Sequence, residues 1–311
     1  MAEGFVSEQR CSGRQACRYF RLQRSTYRYQ AKEPDAWMVR LKSAVRRVSE
    51  EHSAWGYAKI AKLLREEGWK VGKKLVATLR REMGLRVPKR KPKRKRRGMS
   101  TGLPTKATHR GHVWTWDFIH DRTMRGGSLK MLTVVDEYTR ENHLIHVDRR
   151  IRAAEVRRQL QRLISIHGVP EHIRSDNGSE FIQRALQDWM KWIGIKTLYI
   201  EPGSPWQNGF IESFHSSFRR ECLDREQLWT LSEARVVIED WRREYNAVRP
   251  HKSLSLETPL AYAKAAAAQA ADCVRATPSL RPLLDFASLR ERYFKPKPER
   301  PRLSKLVGQF G

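Results

Sequence analysis

Cysteine is scarce in this chain: four among 311 residues, Cys11, Cys17, Cys222 and Cys273, none in a CxxC pair. That excludes a disulfide framework and a zinc finger, and it fits a reducing cytosol. Long apolar runs are missing as well. No stretch approaches about 18 consecutive apolar residues, and the first 30 residues carry no apolar h-region, so neither a membrane span nor a secretory signal is expected. No sustained heptad is present, which leaves no coiled-coil segment. Acid is the last shortage: 34 Asp+Glu stand against 62 Lys+Arg, a formal net charge of +28. An excess of this size self-repels unless a polyanion neutralises it. With 40% hydrophobic residues the chain still has enough apolar material for a real core, so a disordered basic tail is excluded too.

The charge is unevenly placed. Residues 1–105 carry 28 basic and 9 acidic residues, a net of +19, whereas residues 106–280 come to +4 and residues 281–311 to +5. From Lys89 to Arg97 eight of nine residues are basic, followed by a Gly/Pro/Thr/Ser-rich stretch to Thr108. Such a run cannot pack and reads as a solvated linker with phosphate-contacting capacity.

Upstream of that linker the apolar spacing is helical. Leu41, Val45 and Val48, then Ile60, Leu63 and Leu64, then Leu75, Val76, Leu79 and Met83 form stripes, with Gly68 and Gly72 bracketing a turn and Gly84 closing the last one. Two short helices around a glycine turn describe a helix-turn-helix, and Lys73, Lys74, Arg80 and Arg81 would decorate its second helix as DNA contacts. A plain helical bundle is the alternative; the local +19 favours nucleic acid. Residues 12–20 and 25–30 read as a further short helix pair with Ser12 and Ser25 as N-caps.

Downstream the period changes to two. His112 to His120, Leu129 to Thr139 and Asn142 to Asp148 are three strands in close succession, which predicts an antiparallel meander. Then follow a helix over Ala153 to His167, a strand over His172 to Asp176, a helix over Glu180 to Ile193, a strand over Lys196 to Ile200, and a helix over Gly209 to Leu223. The order β-β-β-α-β-α-β-α predicts an α/β fold: a ribonuclease H-like mixed sheet with flanking helices, preceded by an all-α helix-turn-helix region.

Three carboxylates stand in costly places. Asp117 interrupts a strand that is apolar on both faces. Asp176 ends a strand ahead of an Asn-Gly turn, at the sheet edge where ligands bind. Glu212 lies early in a helix with His215, Ser216 and Arg219 on its face. Each also has a structural explanation, as a strand-end cap, a turn residue and a dipole-favoured acid. Asp121, Asp136, Asp148, Glu180 and Glu201 are rivals, Asp136 the most serious, and composition alone does not choose among them.

At these residues the sequence resembles a family. Ser175-Asp176-Asn177-Gly178-Ser179-Glu180-Phe181 and Ser204-Pro205-Trp206-Gln207-Asn208-Gly209-Phe210-Ile211-Glu212-Ser213-Phe214 are similar to the catalytic region of DDE transposases of the IS-three family, relatives of retroviral integrases. Thirty-five residues separate Asp176 from Glu212, the spacing of that superfamily, and Trp116-Asp117 looks like its first acid. Tyr245-Asn246, Arg249-Pro250-His251, Ser253-Leu254 and Thr258-Pro259 resemble the family's closing motif, and Trp55-Gly56-Tyr57 its helix-turn-helix.

The resemblance implies that Asp117, Asp176 and Glu212 are catalytic and hold two Mg²⁺ ions, with Mn²⁺ as a substitute, for DNA cleavage and strand transfer in an insertion sequence. It places Asn177, Gln207, Asn208 and Arg219 at the DNA, Arg219 standing where the family usually has Lys, and it makes the Gly203 to Asn208 loop mobile without DNA. The implied partners are double-stranded DNA, both element ends and target, a homo-oligomer on that DNA and an upstream-frame protein, with no membrane; the setting is the cytoplasm of a bacterium, at the nucleoid. A short helical DNA-binding segment is expected over residues 1–33, the helix-turn-helix domain over 34–88, the basic linker over 89–108, the catalytic core over 109–263 and a basic tail over 264–311. Two other functions stay open: a DNA-binding regulator or inhibitor of transposition that is inactive without its partner frame, and a ribonuclease H-like nuclease on hybrids.

Overall fold

Helical spacing of apolar residues builds the N-terminal third of the structure, a computed structural model that describes residues 2–8, 11–29, 35–87, 105–176, 181, 183–200 and 208–276. The chain divides into two compact units, Met1–Met99 with Arg219–Arg225, and Ser100–Phe218 with Glu226–Gly311.

The first unit is all helix: α1 (Ala2–Ser7), α2 (Gly13–Tyr19), α3 (Arg24–Tyr27), α4 (Ala36–Glu51), α5 (Tyr57–Glu66) and α6 (Lys73–Glu82). Ser12 caps α2 as expected, in a capping box with Gln15 that satisfies backbone N–H groups at both ends of the pair. Ser25 is not a cap, because α3 begins one residue earlier, behind Gln23. The stripes of α4, α5 and α6 meet in one core of Leu41, Val45, Ile60, Leu64, Val76 and Leu79, closed by Trp55, against whose ring His52 stacks at 3.9 Å. Gly68 takes φ +91° at the turn between α5 and α6, a conformation that a side chain would strain.

The second unit is built on a sheet. Its strands are β1 (Val113–Arg122), β2 (Ser128–Asp136), β3 (Asn142–Asp148), β4 (His172–Ser175) and β5 (Lys196–Tyr199), and its helices α7 (Ala153–His167), α8 (Arg184–Trp192), α9 (Gly209–Phe218), α10 (Leu231–Ala247) and α11 (Pro259–Ala276). The strand order is β3-β2-β1-β4-β5. The first three strands pair antiparallel, while β4 and β5 run parallel to β1. This is the ribonuclease H-like mixed sheet.

Alternation along β1 sorts its side chains. Trp114 and Trp116 join Leu132, Val134 and Ile173 under α7 and α8 in one buried core. Phe181 stacks on Trp116 at 4.6 Å and on Phe118 at 4.9 Å, sealing that layer. Thr115 and Asp117 take the opposite face, where α9 packs against β1. There Phe214 and Phe218 of α9 meet Trp241 and Tyr245 of α10 with ring centroids 4.8–5.8 Å apart. Burying rings of this size fixes α9, and with it the acid in its first turn, against the sheet.

One element differs from expectation. The helix expected over Gly209 to Leu223 is α-helical only to Phe218; Arg219–Leu223 forms a π-helical turn, closed by the Asp224 N–H on the Arg219 carbonyl at 2.7 Å. Among the described residues no helix is long and apolar enough to cross a membrane.

Candidate active site and nucleic-acid interface

Register does the first part of the work. In the parallel β1–β4 pair Val113 faces His172, Trp114 faces Ile173 and Thr115 faces Arg174. Continued by two residues, that register puts Asp176 beside Asp117. Across the antiparallel pair Asp117 faces Thr133. Glu212 enters from above, in the first turn of α9.

The electrostatics report the same assembly. Burial, then the charge of Asp176, then that of Glu212 push the Asp117 carboxyl up to about 7, against the lowering effect of the Phe118 N–H, which donates to its Oδ1 at 2.7 Å. A buried carboxylate that resists ionisation, with two other acids near it, is stabilised by a cation. All three candidate ligands offer carboxylate oxygen, the donor a hard divalent ion takes, so the residues present fit such an ion.

Polar contacts tie down the backbone and the neighbouring side chains around these acids. Thr133 Oγ1 donates to the Asp117 carbonyl at 3.0 Å and lies 2.8 Å from His215 Nε2, which leaves Nε2 as the donor to the hydroxyl. His215 Nδ1 is then 3.8 Å from Asp117 Oδ2. Sequence reasoning noted His215 only as a helix-face neighbour of Glu212; its approach to Asp117 depends on packing across the sheet. Asn208 is buried, its Oδ1 accepting from Thr115 Oγ1 at 3.2 Å, so it ties the start of α9 to β1. Beneath Asp176, Arg174 is sealed in the interior, its Nε 2.7 Å from Glu137 Oε1 and its Nη2 donating to the Thr105 carbonyl. Burial raises the Glu137 carboxyl although Arg174 opposes the rise.

Two of the rivals, Asp136 and Asp148, have partners of their own. Asp136 Oδ1 accepts the N–H groups of Tyr138 and Thr139 at 2.9 Å and its Oδ2 that of Gly111 at 2.8 Å, so it is a backbone cap with its lone pairs spent. Asp148 accepts from the Arg149 N–H and from Arg235 Nη2. Glu180 and Glu201 lie outside the described residues, as do Asn177, Gln207 and the Gly203 to Asn208 loop apart from Asn208 itself.

Of the four cations expected on α6, Lys73, Lys74 and Arg81 are exposed. Arg80 is not: it is 3% exposed and its Nη1 donates to the Trp55 carbonyl at 2.8 Å. Burial lowers its pKa, and its place four residues after Val76 puts it on the packed face of the helix. It is a packing residue of the helical unit. Arg219 opens the π-helical turn, which belongs to that same unit, where Glu221 Oε2 accepts the Trp55 indole N–H at 3.1 Å. Within the second unit, Asp176 and Glu212 stand near enough to Asp117 to act on its charge, and Asn208 is bonded to Thr115 of the same strand.

A ribonuclease H-like mixed sheet that follows an all-helical unit in the chain is the fold of an integrase-core protein, and comparison with known proteins agrees. Residues 107–205 and 193–259 match integrase core domains, and residues 38–93 match an HTH-like domain. The 39.2 kDa protein of insertion element IS476 from Xanthomonas euvesicatoria is 37% identical over 252 residues, 81% of this chain and 72% of that protein. The 31.7 kDa protein of IS407 from Burkholderia multivorans is 38% identical, covering 81% of this chain and 90% of its own. The IS904 transposase of Lactococcus lactis is 27% identical over 51% of this chain and 64% of its own. The chain belongs to the IS-three family of DDE transposases, which bind DNA, cleave it and transfer its strands, and whose integrase core works with divalent metal.

Proposed function

We propose that Asp117, Asp176 and Glu212 are the catalytic acids and that together they hold two Mg²⁺ ions, for which Mn²⁺ substitutes. The observation that carries this is the pairing of register with electrostatics: Asp176 stands beside Asp117, and both Asp176 and Glu212 raise the Asp117 carboxyl. Two such ions supply Lewis acidity to the attacking and leaving oxygens of an in-line phosphodiester displacement. The chain's own task is placement. Thr133 ties down the Asp117 backbone and bonds His215 of α9, Asn208 anchors the helix that carries Glu212, and the ring cluster of Phe214, Phe218, Trp241 and Tyr245 keeps that helix from shifting. The reaction consumes water to free a 3′-hydroxyl at an element end; that oxygen then attacks a second phosphodiester, joining to its phosphorus and displacing a new 3′-oxygen.

DNA is held along its backbone by the basic ends of the chain, with Lys73, Lys74 and Arg81 on α6 as phosphate contacts in a helix-turn-helix domain over 34–88. The linker over 89–108 joins that domain to the catalytic core over 109–263, and Arg219, Asn177 and Gln207 meet the terminal DNA. Two ends must be joined, so the working form is a homo-oligomer on DNA, in the cytoplasm at the nucleoid, supplemented by an upstream-frame protein. The test is Asp176→Asn in the full chain. Cleavage and joining of element-end DNA should be lost with duplex affinity unchanged; retained joining overturns the assignment.

A further inference from the structure

The closing motif, Tyr245-Asn246 with Arg249-Pro250-His251 and Ser253, has so far only a resemblance to explain it. Part of it is structural. Asn246 Oδ1 accepts the Asn142 N–H and its Nδ2 donates to the Asn142 carbonyl, both at 2.8 Å, which docks α10 on β3. The remainder lines a cleft.

We propose that this cleft, beside the start of α9, seats a backbone phosphate of the DNA strand that enters the catalytic core, with Arg140 as its principal donor and the closing motif as its wall. The cleft measures about 340 Å³ and is lined by Arg140, Phe210, Ser213, Ser217, Arg249 and Ser253 among others, with no carboxylate in its lining. Two guanidinium groups and three hydroxyls facing one space form a donor set for an anion, and the planar guanidinium fork matches phosphate oxygens.

Arg140 is held ready. Its backbone turns at φ +63° between β2 and β3, with its N–H on the Asp136 carbonyl at 2.9 Å. The guanidinium carbon lies 3.9 Å from the centre of the Phe210 ring. Burial lowers its pKa, yet its Nη1, shielded from solvent, has no hydrogen-bond partner among the described residues. A buried charged donor left unpaired is unfavourable until a ligand meets it. Arg249, only 6% exposed, adds fixed positive charge: its Nη2 donates to Ser217 Oγ at 3.0 Å, its Nη1 lies 3.2 Å from His251 Nε2, and it sits over Tyr245. Asp136 and Glu137 near Arg140 do not line the cleft.

The choice of a DNA strand over a free anion comes from position. Ser213 follows Glu212 on α9, so the wall of the cleft and the proposed catalytic acid share a helical turn. A strand held at those acids would therefore lie beside the cleft. To this extent the inference rests on the proposed catalytic site.

The experiment measures the affinity of the full chain for a fluorescent duplex of roughly 30 base pairs between about 50 and 200 mM salt. Arg140→Gln should flatten the slope of log affinity against log salt by about one, the signature of one lost phosphate contact, whereas Arg140→Lys keeps the slope. Ser253→Asp, which puts a carboxylate into the cleft without touching either arginine, should weaken binding about 3- to 10-fold and carries the test if Arg140→Gln does not fold. Wild-type affinity and slope in the folded variants overturn the proposal. Inorganic phosphate and deoxyadenosine monophosphate are titrated alongside; Arg140-dependent binding of these with an unchanged duplex slope overturns the DNA assignment in favour of a small phosphate ligand. Asp176→Asn run in parallel separates the two readings, because it removes catalysis without altering the salt slope.

Discussion

Asp117 shows how one residue's chemistry is set by others far away in sequence. Its elevated pKa comes from burial and from two acids that reach it through strand register and helix packing. The groups orienting it should matter nearly as much as the acid itself. Thr133→Val removes the hydroxyl that bridges the Asp117 carbonyl and His215, and it should lower cleavage and joining about 10- to 100-fold with duplex affinity unchanged. The same variant should shift the Mg²⁺ dependence of the rate to higher concentration, which a purely structural loss would not do. Arg80 gives the opposite lesson. A basic residue on a presumed recognition helix invites a DNA role, yet its spacing from Val76 assigns it to the core, and Arg80→Ala should cost stability while leaving the salt slope of DNA binding in place.

At the scale of elements, β4 is the piece on which the site depends most. It is four residues long, and its end places Asp176. Arg174 anchors it through an ion pair with Glu137 whose side chains are 2% and 0% exposed. A buried pair of this kind is weak support for stability as a whole, but breaking one half leaves an uncompensated charge inside. Glu137→Gln should therefore destabilise the chain by about 3 kcal/mol in urea unfolding, and should reduce catalysis through misplacement of Asp176. Most strands and helices were legible in the spacing of apolar residues, α7 to the residue. The long helix α10 went unread although its signals are ordinary: Thr230 and Glu233 form a capping box, and Ala234, Ile238, Trp241 and Tyr245 follow as a buried stripe. The change from α to π winding at Arg219 carries no comparable signature, since it is a matter of which carbonyl an N–H finds.

For the whole molecule, charge and acid sensitivity are the measurable consequences. The +28 predicts DNA affinity that falls steeply with salt, and the slope counts the phosphates engaged. Stability should also depend on pH through two histidines. Burial is the first cause that holds His167 down to about 4 and His143 well below its usual range. The unfolded chain takes up a proton near pH 6.5 that the folded chain refuses, so stability is full above that pH and is lost as pH falls toward 4. For His167 the loss over that window is on the order of 2–3 kcal/mol. Thermal unfolding between pH 7 and 4.5 should show it, and His167→Phe, which keeps the packing against Trp114, should flatten the dependence.

The sequence by itself determined most of the elements, the polyanion partner and the family, because apolar period, charge and motif spacing are local properties that survive without coordinates. It also marked Asp117, Asp176 and Glu212 as out of place. What it left open was what surrounds each acid, and only the tertiary structure shows that. Asp136 and Asp117 look alike along β1 and β2, but one spends its oxygens on three backbone N–H groups and the other faces like charges. Whether an acid is capped by backbone or left to seek a cation depends on what folding brings against it, and chain order does not encode that contact directly.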